Sequence, residues 1–325
     1  MKKQWIVFVV GATLLFFLCS LPAHALSITG TTDAQTLVNE ITGPGITIVG
    51  TPKYVGIENQ SGTFTGGEPE NTSNIGFDRG IVLTTGNVNQ IVGPNNADIE
   101  TRASNRRKDS DDINTDLGRL GDAALDPLAG FRTHDAASLE FEFQFGDETA
   151  GGDLFFNFVF ASEEYVNYVN SQFNDVFGFF VNGENVALVS GTEDPISVNT
   201  VNDKENPGFY RNNVNNTDGI PVARLDNHFD GLTTVITAER LGLDPDVTHA
   251  MKFAIADTFD GNLDAGVFIQ AGTFSSEKPP SESAPGPDPP APVPEPATLL
   301  LLSTGLVGLL GFGRKKLSTR QRTSA

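Results

Sequence analysis

The sequence is poor in cysteine, tryptophan, histidine and positive charge. Its 325 residues include one Cys, one Trp, four His, and 21 Lys plus Arg against 41 Asp plus Glu. Cys19 and Trp5 both lie in the first 25 residues, so a chain that loses that segment has no thiol. Thiol catalysis, thiolate-bound metal and disulfide support are then excluded together. The formal net charge of -20 repels phosphates, which excludes nucleic acid as a main partner and disfavours anionic lipid surfaces. Three histidines lie beyond residue 25, His134, His228 and His249, and no two are spaced to share a helical face as a metal pair. Also missing are the G-x-S-x-G elbow, H-E-x-x-H, the phosphate-binding G-x-x-x-x-G-K-[ST] loop and G-x-G-x-x-G. These absences argue against an enzyme.

Long hydrophobic runs occur only at the two ends. Lys2 and Lys3 precede an apolar run over 5–18, followed by Pro22 and the small-residue exit Ala23-His24-Ala25. A charged start, a short apolar middle and a small-residue exit read as a secretory signal peptide over 1–25, with Ala23 and Ala25 forming the cleavage pattern. At the other end, Pro makes up 8 of the 20 residues over 275–294, so 275–292 reads as a semi-rigid, core-less spacer. Val293-Pro294-Glu295-Pro296 follows, then an apolar stretch over 297–313 and a basic end over 314–325 that begins Arg314-Lys315-Lys316. Seventeen helical residues cover about 25 Å, just enough to cross a bilayer. The basic cluster would stay cytoplasmic and leave the body outside. An ordinary tail anchor is the competing reading.

The order Pro-Glu-Pro, apolar span, basic end resembles the PEP-CTERM sorting signal. That resemblance implies an exported bacterial protein, held transiently in the inner membrane by its C-terminal helix. An exosortase then cuts near Pro294-Glu295-Pro296 and delivers the protein to the cell surface or extracellular matrix, typically in bacteria that make exopolysaccharide.

Between the ends, over 26–274, period-two alternation predicts strands. Leu139-Glu140-Phe141-Glu142-Phe143-Gln144-Phe145 puts four apolar side chains on one face, and the stretch over 154–160 is apolar on nearly both, as a central strand is. Asn182-Gly183 is a hairpin signal between strands at 176–181 and 186–189. Further strands are expected at 46–49, 81–84, 197–201, 235–238, 251–256 and 267–274. Helical signals are few. Thr32-Asp33-Ala34-Gln35 reads as a capping box before Leu37, Val38 and Ile41, with Gly43 as the stop. Short helices are also expected over 162–170 and 113–120, and the stretch 92–136 reads as a solvated excursion. The expected fold is all-β: one jelly-roll-like β-sandwich domain with a few short helices.

The body also resembles choice-of-anchor L domains. The resemblance rests on Ile75-Gly76-Phe77-Asp78-Arg79-Gly80-Ile81-Val82-Leu83-Thr84-Thr85-Gly86-Asn87, on Asp135-Ala136-Ala137-Ser138-Leu139-Glu140-Phe141-Glu142-Phe143, and on Phe158-Val159-Phe160-Ala161-Ser162-Glu163-Glu164-Tyr165. Phe173-Asn174-Asp175-Val176-Phe177-Gly178-Phe179-Phe180 and the segment from Ile255-Ala256-Asp257 to Val267-Phe268-Ile269 extend it over nearly the whole body. It implies a surface role and names no reaction or substrate.

Two acidic clusters are the candidate sites. Asp257, Asp260, Asn262 and Asp264 crowd oxygen-bearing side chains around Gly261, a pattern suited to Ca²⁺, though its spacing is not that of an EF-hand. Ser162, Glu163, Glu164, Asn174 and Asp175 form a weaker second cluster. Asp and Asn capping turns account equally well for the first cluster and better for the second. Adjacent Glu163 and Glu164 diverge on a strand or a helix, so they do not by themselves make a glycosidase pair. Tyr165, Tyr168 and Tyr210 are the candidate platforms for a sugar. The expectation is a non-enzymatic surface or matrix protein with an adhesive or structural role in the exopolysaccharide layer. Its partners would be the exosortase, extracellular polysaccharide or other surface proteins, and its ion calcium. The alternative is a carbohydrate-binding or polysaccharide-active protein built on the Glu163, Asp175 and Asp257 region.

Overall fold

A computed structural model of the chain describes residues 25–67, 75–95, 113–146, 152–215 and 222–279. In chain order its strands are β1 (Ser27–Gly30), β2 (Ile46–Val55), β3 (Ser61–Thr65), β4 (Gly80–Thr84), β5 (Thr133–Phe145), β6 (Leu154–Ser162), β7 (Val176–Val181), β8 (Glu184–Asn185), β9 (Ile196–Ser197), β10 (Tyr210–Asn212), β11 (Gly231–Thr233), β12 (Ile236–Arg240), β13 (His249–Thr258) and β14 (Ala265–Gln270). Among the described residues the α-helices are α1 (Ala34–Ile41) and α2 (Asp126–Ala129). One sheet runs β1-β3-β4-β14-β6-β11-β10, with β12 also on β6. The other runs β2-β5-β13-β7-β8, with β9 also on β7. All pairings between these strands are antiparallel. The fold is a β-sandwich, as the alternation predicts.

Alternation decides where the side chains go. Phe156, Phe158 and Phe160 of β6 and Val267 and Ile269 of β14 face Phe141 and Phe143 of β5, Phe177 and Phe179 of β7 and Phe253 and Ile255 of β13. Phe156 and Phe179 approach to 3.9 Å between ring centroids, and Phe179 stacks on Phe253 at 4.9 Å. The alternate residues of β6 and β14, Val159, Ala161 and Phe268, sit under Phe64, Phe229 and Leu232 on the outer side of their sheet. That is why β6 is buried along its whole length. Ala254 and Ala256 of β13 are covered in turn by Leu125 and Ala129, in and beside α2.

Several expected elements are shifted or absent, each for a local reason. Helix α1 starts one residue later than the capping box predicts, because the Asp33 carboxylate rather than Thr32 accepts from the Gln35 amide, at 3.3 Å. No helix forms over 113–120. The amides of Thr115, Leu117 and Arg119 donate instead to the carboxylates of Asp264, Asp135 and Asp135 at 2.6, 2.9 and 2.6 Å, which holds the segment extended. Over 163–170 there are turns rather than a helix, beginning where the Ser162 hydroxyl accepts from the Glu164 amide at 2.9 Å.

The expected strand at 186–189 is lost as well. The Asn185 carboxamide oxygen accepts from the Phe179 and Ala187 amides and ends the ladder at β8. The predicted strand at 197–201 shrinks to β9, since the Thr200 hydroxyl turns the chain back onto Ser197. The excursion is shorter than expected, because 133–136 open β5 and Ile113 is buried. Asn182 and Gly183, at φ 52° and 86°, do make the tight turn.

Ser275, the first residue of the Pro-rich stretch, is still part of the sandwich and bridges Phe155. Ala23, the sorting motif Val293–Pro296, the apolar stretch over 297–313 and the basic end lie outside the described residues, while Ala25 is exposed. Among the described residues no helix is long and apolar enough to cross a membrane.

Candidate functional site: an acidic end of the sandwich

The inward rows of three strands end in polar groups at the same end of the sandwich. On β6 the row reads Phe156, Phe158, Phe160, Ser162, and on β13 it reads Phe253, Ile255, Asp257. On β7 it runs back from Phe179 and Phe177 to Asp175, just before the strand. The register pairing Val176 with Ala256 brings Asp175 beside Asp257. A bulge lies opposite, between the β13 residues Ile255 and Asp257, where Asp135 of β5 takes φ 49°. Such irregularities re-aim side chains near the ends of ladders. The two sheets are tied there by the Ser162 hydroxyl, which donates to Asp175 Oδ2 at 2.8 Å.

Acids from both clusters of the sequence therefore lie at the same end of the sandwich. Glu164, Asp175, Asp257 and Asp264 are all essentially buried. Asp260 and Asn262 are not buried with them and instead line the rim of a cavity of about 220 Å³, together with Asn114, Tyr168, Phe173 and the Glu164 carboxyl. Asn174 is used structurally: its carboxamide oxygen accepts from the Asn199 amide at 2.8 Å, and its backbone carbonyl accepts from Thr258. Glu163 is buried beside Glu164.

The electrostatics are those of buried carboxyls without counter-charge. Burial pushes Glu164 up to about 11, reinforced by Asp175, Asp260 and Asp230. It pushes Asp175 up to about 8 despite hydrogen bonds from Ser162 and Thr258, with Asp264 and Asp260 adding to the rise. Burial, then Asp175 and Asp264, lifts Asp257 well above the carboxylate range, while the Thr85 hydroxyl opposes the rise. Asp264 is raised by burial against hydrogen bonds from Thr115. Among the described residues no salt bridge reaches any of these four acids. Glu164 Oε2, both carboxylate oxygens of Asp257, and Asp264 Oδ2 are buried with no well-formed hydrogen bond. Buried polar groups are normally paired, so this concentration is unusual.

No three His, Cys, Asp or Glu side chains among the described residues are placed to hold a metal ion as they stand. Gly86 leaves the space that Asp264 occupies, since a side-chain carbon there would collide with that carboxylate. Sequence reasoning missed Thr85, Gly86, Thr115 and Asp135, whose roles depend on long-range register. The only local signal was that Thr85 and Gly86 end a strand pattern.

Of the three candidate sugar platforms, Tyr165 is not available and Tyr210 is half-buried. Tyr165 is fully buried, donates its hydroxyl to the Val201 carbonyl at 2.7 Å and packs on Tyr210 at 4.9 Å. Tyr168 remains at the cavity, 5.2 Å from Phe173 between ring centroids.

The molecule so described is a β-sandwich with a Phe-filled core and an acidic end, followed by a sorting tail. Residues 27–275 match the choice-of-anchor L domain model, and the chain belongs to that family. Residues 292–315 match the PEP-CTERM protein-sorting motif, which makes the chain an exported, exosortase-sorted surface protein, transiently anchored in the membrane. No curated protein and no solved structure matches it.

Proposed function

We propose that the protein is a non-enzymatic component of the extracellular polymer layer, with an adhesive or structural role toward exopolysaccharide or other surface proteins. The observation that carries this reading is the arrangement of the chain. One family domain fills 27–275, and the sorting motif at 292–315 follows with no further domain between them. The architecture thus supports delivery and retention of the sandwich as the purpose of the chain. The chemistry of the acidic end agrees, because Glu164, held protonated by burial, is not a ready general base.

The test is co-sedimentation of the full exported chain with exopolysaccharide from a producing strain, alongside loss of the gene. The account expects the protein in the polysaccharide fraction and a mechanically weaker matrix without it. Protein that stays wholly in the supernatant, together with an unchanged matrix, would contradict the role.

One observation favours a second reading, a carbohydrate-binding or polysaccharide-active site: the cavity joins two carboxyls, Glu164 and Asp260, to the rings of Tyr168 and Phe173. Reducing-sugar release by the wild type and not by Glu164→Gln would establish an enzyme in place of a scaffold.

A further inference from the structure

We propose that the acidic end of the sandwich is a single calcium site, formed by Glu164, Asp175, Asp257 and Asp264 and reached through the cavity that Glu164 shares with Asp260. The four donors come from separate segments of the chain: the turn after β6, the residue before β7, the end of β13 and the residue before β14. The fold brings them together across both sheets, and the sequence distance between Glu164 and Asp264 hides the grouping.

Two observations beyond the acidity point to a ligand. Asp257 is completely buried, in phase with the inward row of β13, and neither of its carboxylate oxygens has a well-formed hydrogen bond, although the Thr85 hydroxyl lies close enough to oppose its pKa rise. Glu164 and Asp264 each leave one further oxygen without a well-formed hydrogen bond, so four buried oxygens on three carboxyls are poorly satisfied. The site also has an entry, since Glu164 forms part of the cavity wall beside Asp260 and Asn262.

Hard oxygen donors without nitrogen or sulfur select a hard cation. No three of these carboxyls are placed to hold an ion as they stand, so binding requires side chains to turn, which calcium's flexible shell tolerates better than magnesium's. Magnesium needs a near-ideal octahedron and keeps its waters, whereas calcium accepts six to eight oxygens in a flexible shell. Because these oxygens of Asp257 and Glu164 make no well-formed hydrogen bond, those side chains can turn toward an ion with little loss of hydrogen bonding. Asp175 is held by Ser162 and Thr258 and serves as the fixed point. An ion there would cross-link the two sheets at the end where Ser162 already joins them.

The experiment is thermal melting of the full chain in mild detergent, stripped with EGTA. Melting is then repeated in 10 mM calcium chloride, in 10 mM magnesium chloride, and in sodium chloride of equal ionic strength. The salt arms separate a site from general screening of an acidic surface. With an extracellular-type affinity of about 10⁻⁴–10⁻³ M, calcium is expected to raise Tm by roughly 3–10 °C over both controls.

Asp257→Asn and Asp264→Asn are expected to lose most of that rise, and the exposed Asp246→Asn to keep it. Asp257→Asn is isosteric and removes one member of a crowded set of buried acids, so it is expected to fold. Calorimetric titration of the wild type, with one ion bound per chain, supports the site even if a variant fails to fold. An equal shift with magnesium, no shift beyond the salt control, or a full calcium response in Asp257→Asn would overturn the proposal.

Discussion

At the scale of single residues, the acidic end has a pH signature. Asp175, Asp257, Asp264 and Glu164 all bind protons more tightly in the folded chain than a free carboxylate does. For such groups the folded state carries more protons than the unfolded state once pH passes the ordinary carboxylate range. Stability must then fall as pH rises, at up to about 1.4 kcal/mol per pH unit for each proton retained. In EGTA, Tm is expected to fall from pH 5 to pH 8, the window that ends near the raised value of Asp175. Asp257→Asn removes one of the coupled acids and is expected to make the slope shallower. Melting curves across that range check this. A Tm that rises over the window, or an identical slope in the variant, would show that these groups do not hold their protons in the fold.

At the scale of elements, the Phe rows are what joins the sheets. Phe253 of β13 touches Phe141 on its own sheet, Phe156 across the interface, Phe179 beside it and Phe274 of the closing segment. Phe253→Ala is expected to cost about 3–5 kcal/mol, because the neighbouring rings belong to rigid strands and cannot collapse into the void. Chemical denaturation measures it, and a loss below about 1 kcal/mol would mean that the sheets are held by something else.

These rows were legible in the sequence because alternation is local: each inward Phe of β5, β6 and β13 follows from the parity of its neighbours. The site was only half legible. Asp257 and Asp264 stood out as a crowded turn and Glu164 and Asp175 as another, but their union depends on the antiparallel register of β13 with β7. The expected helix at 113–120 failed for the same reason. Its backbone amides are satisfied by Asp135 and Asp264, acids 16 to 149 residues away in the chain, which no local propensity anticipates.

At the scale of the whole molecule, charge and segment order tell the same story. Of the charged residues, 14 basic and 40 acidic lie over 26–293, a net of -26, while five basic residues stand after the apolar stretch at the C-terminus. The body is thus a strongly acidic, solvated surface domain, and the positive charge sits where a stop-transfer end needs it. A body so acidic binds an acidic polysaccharide only through cations or through uncharged contacts, which links the proposed calcium site to the proposed matrix role.

The sorting motif makes delivery the central claim, and the mass of the mature C-terminus tests it most directly. In exosortase-competent cells the surface-associated protein should end near Pro296, without the apolar stretch 297–313 or the basic end. In cells lacking the exosortase it should stay in the membrane fraction and extend to Ala325. Surface protein from competent cells that is intact to Ala325 would contradict the account.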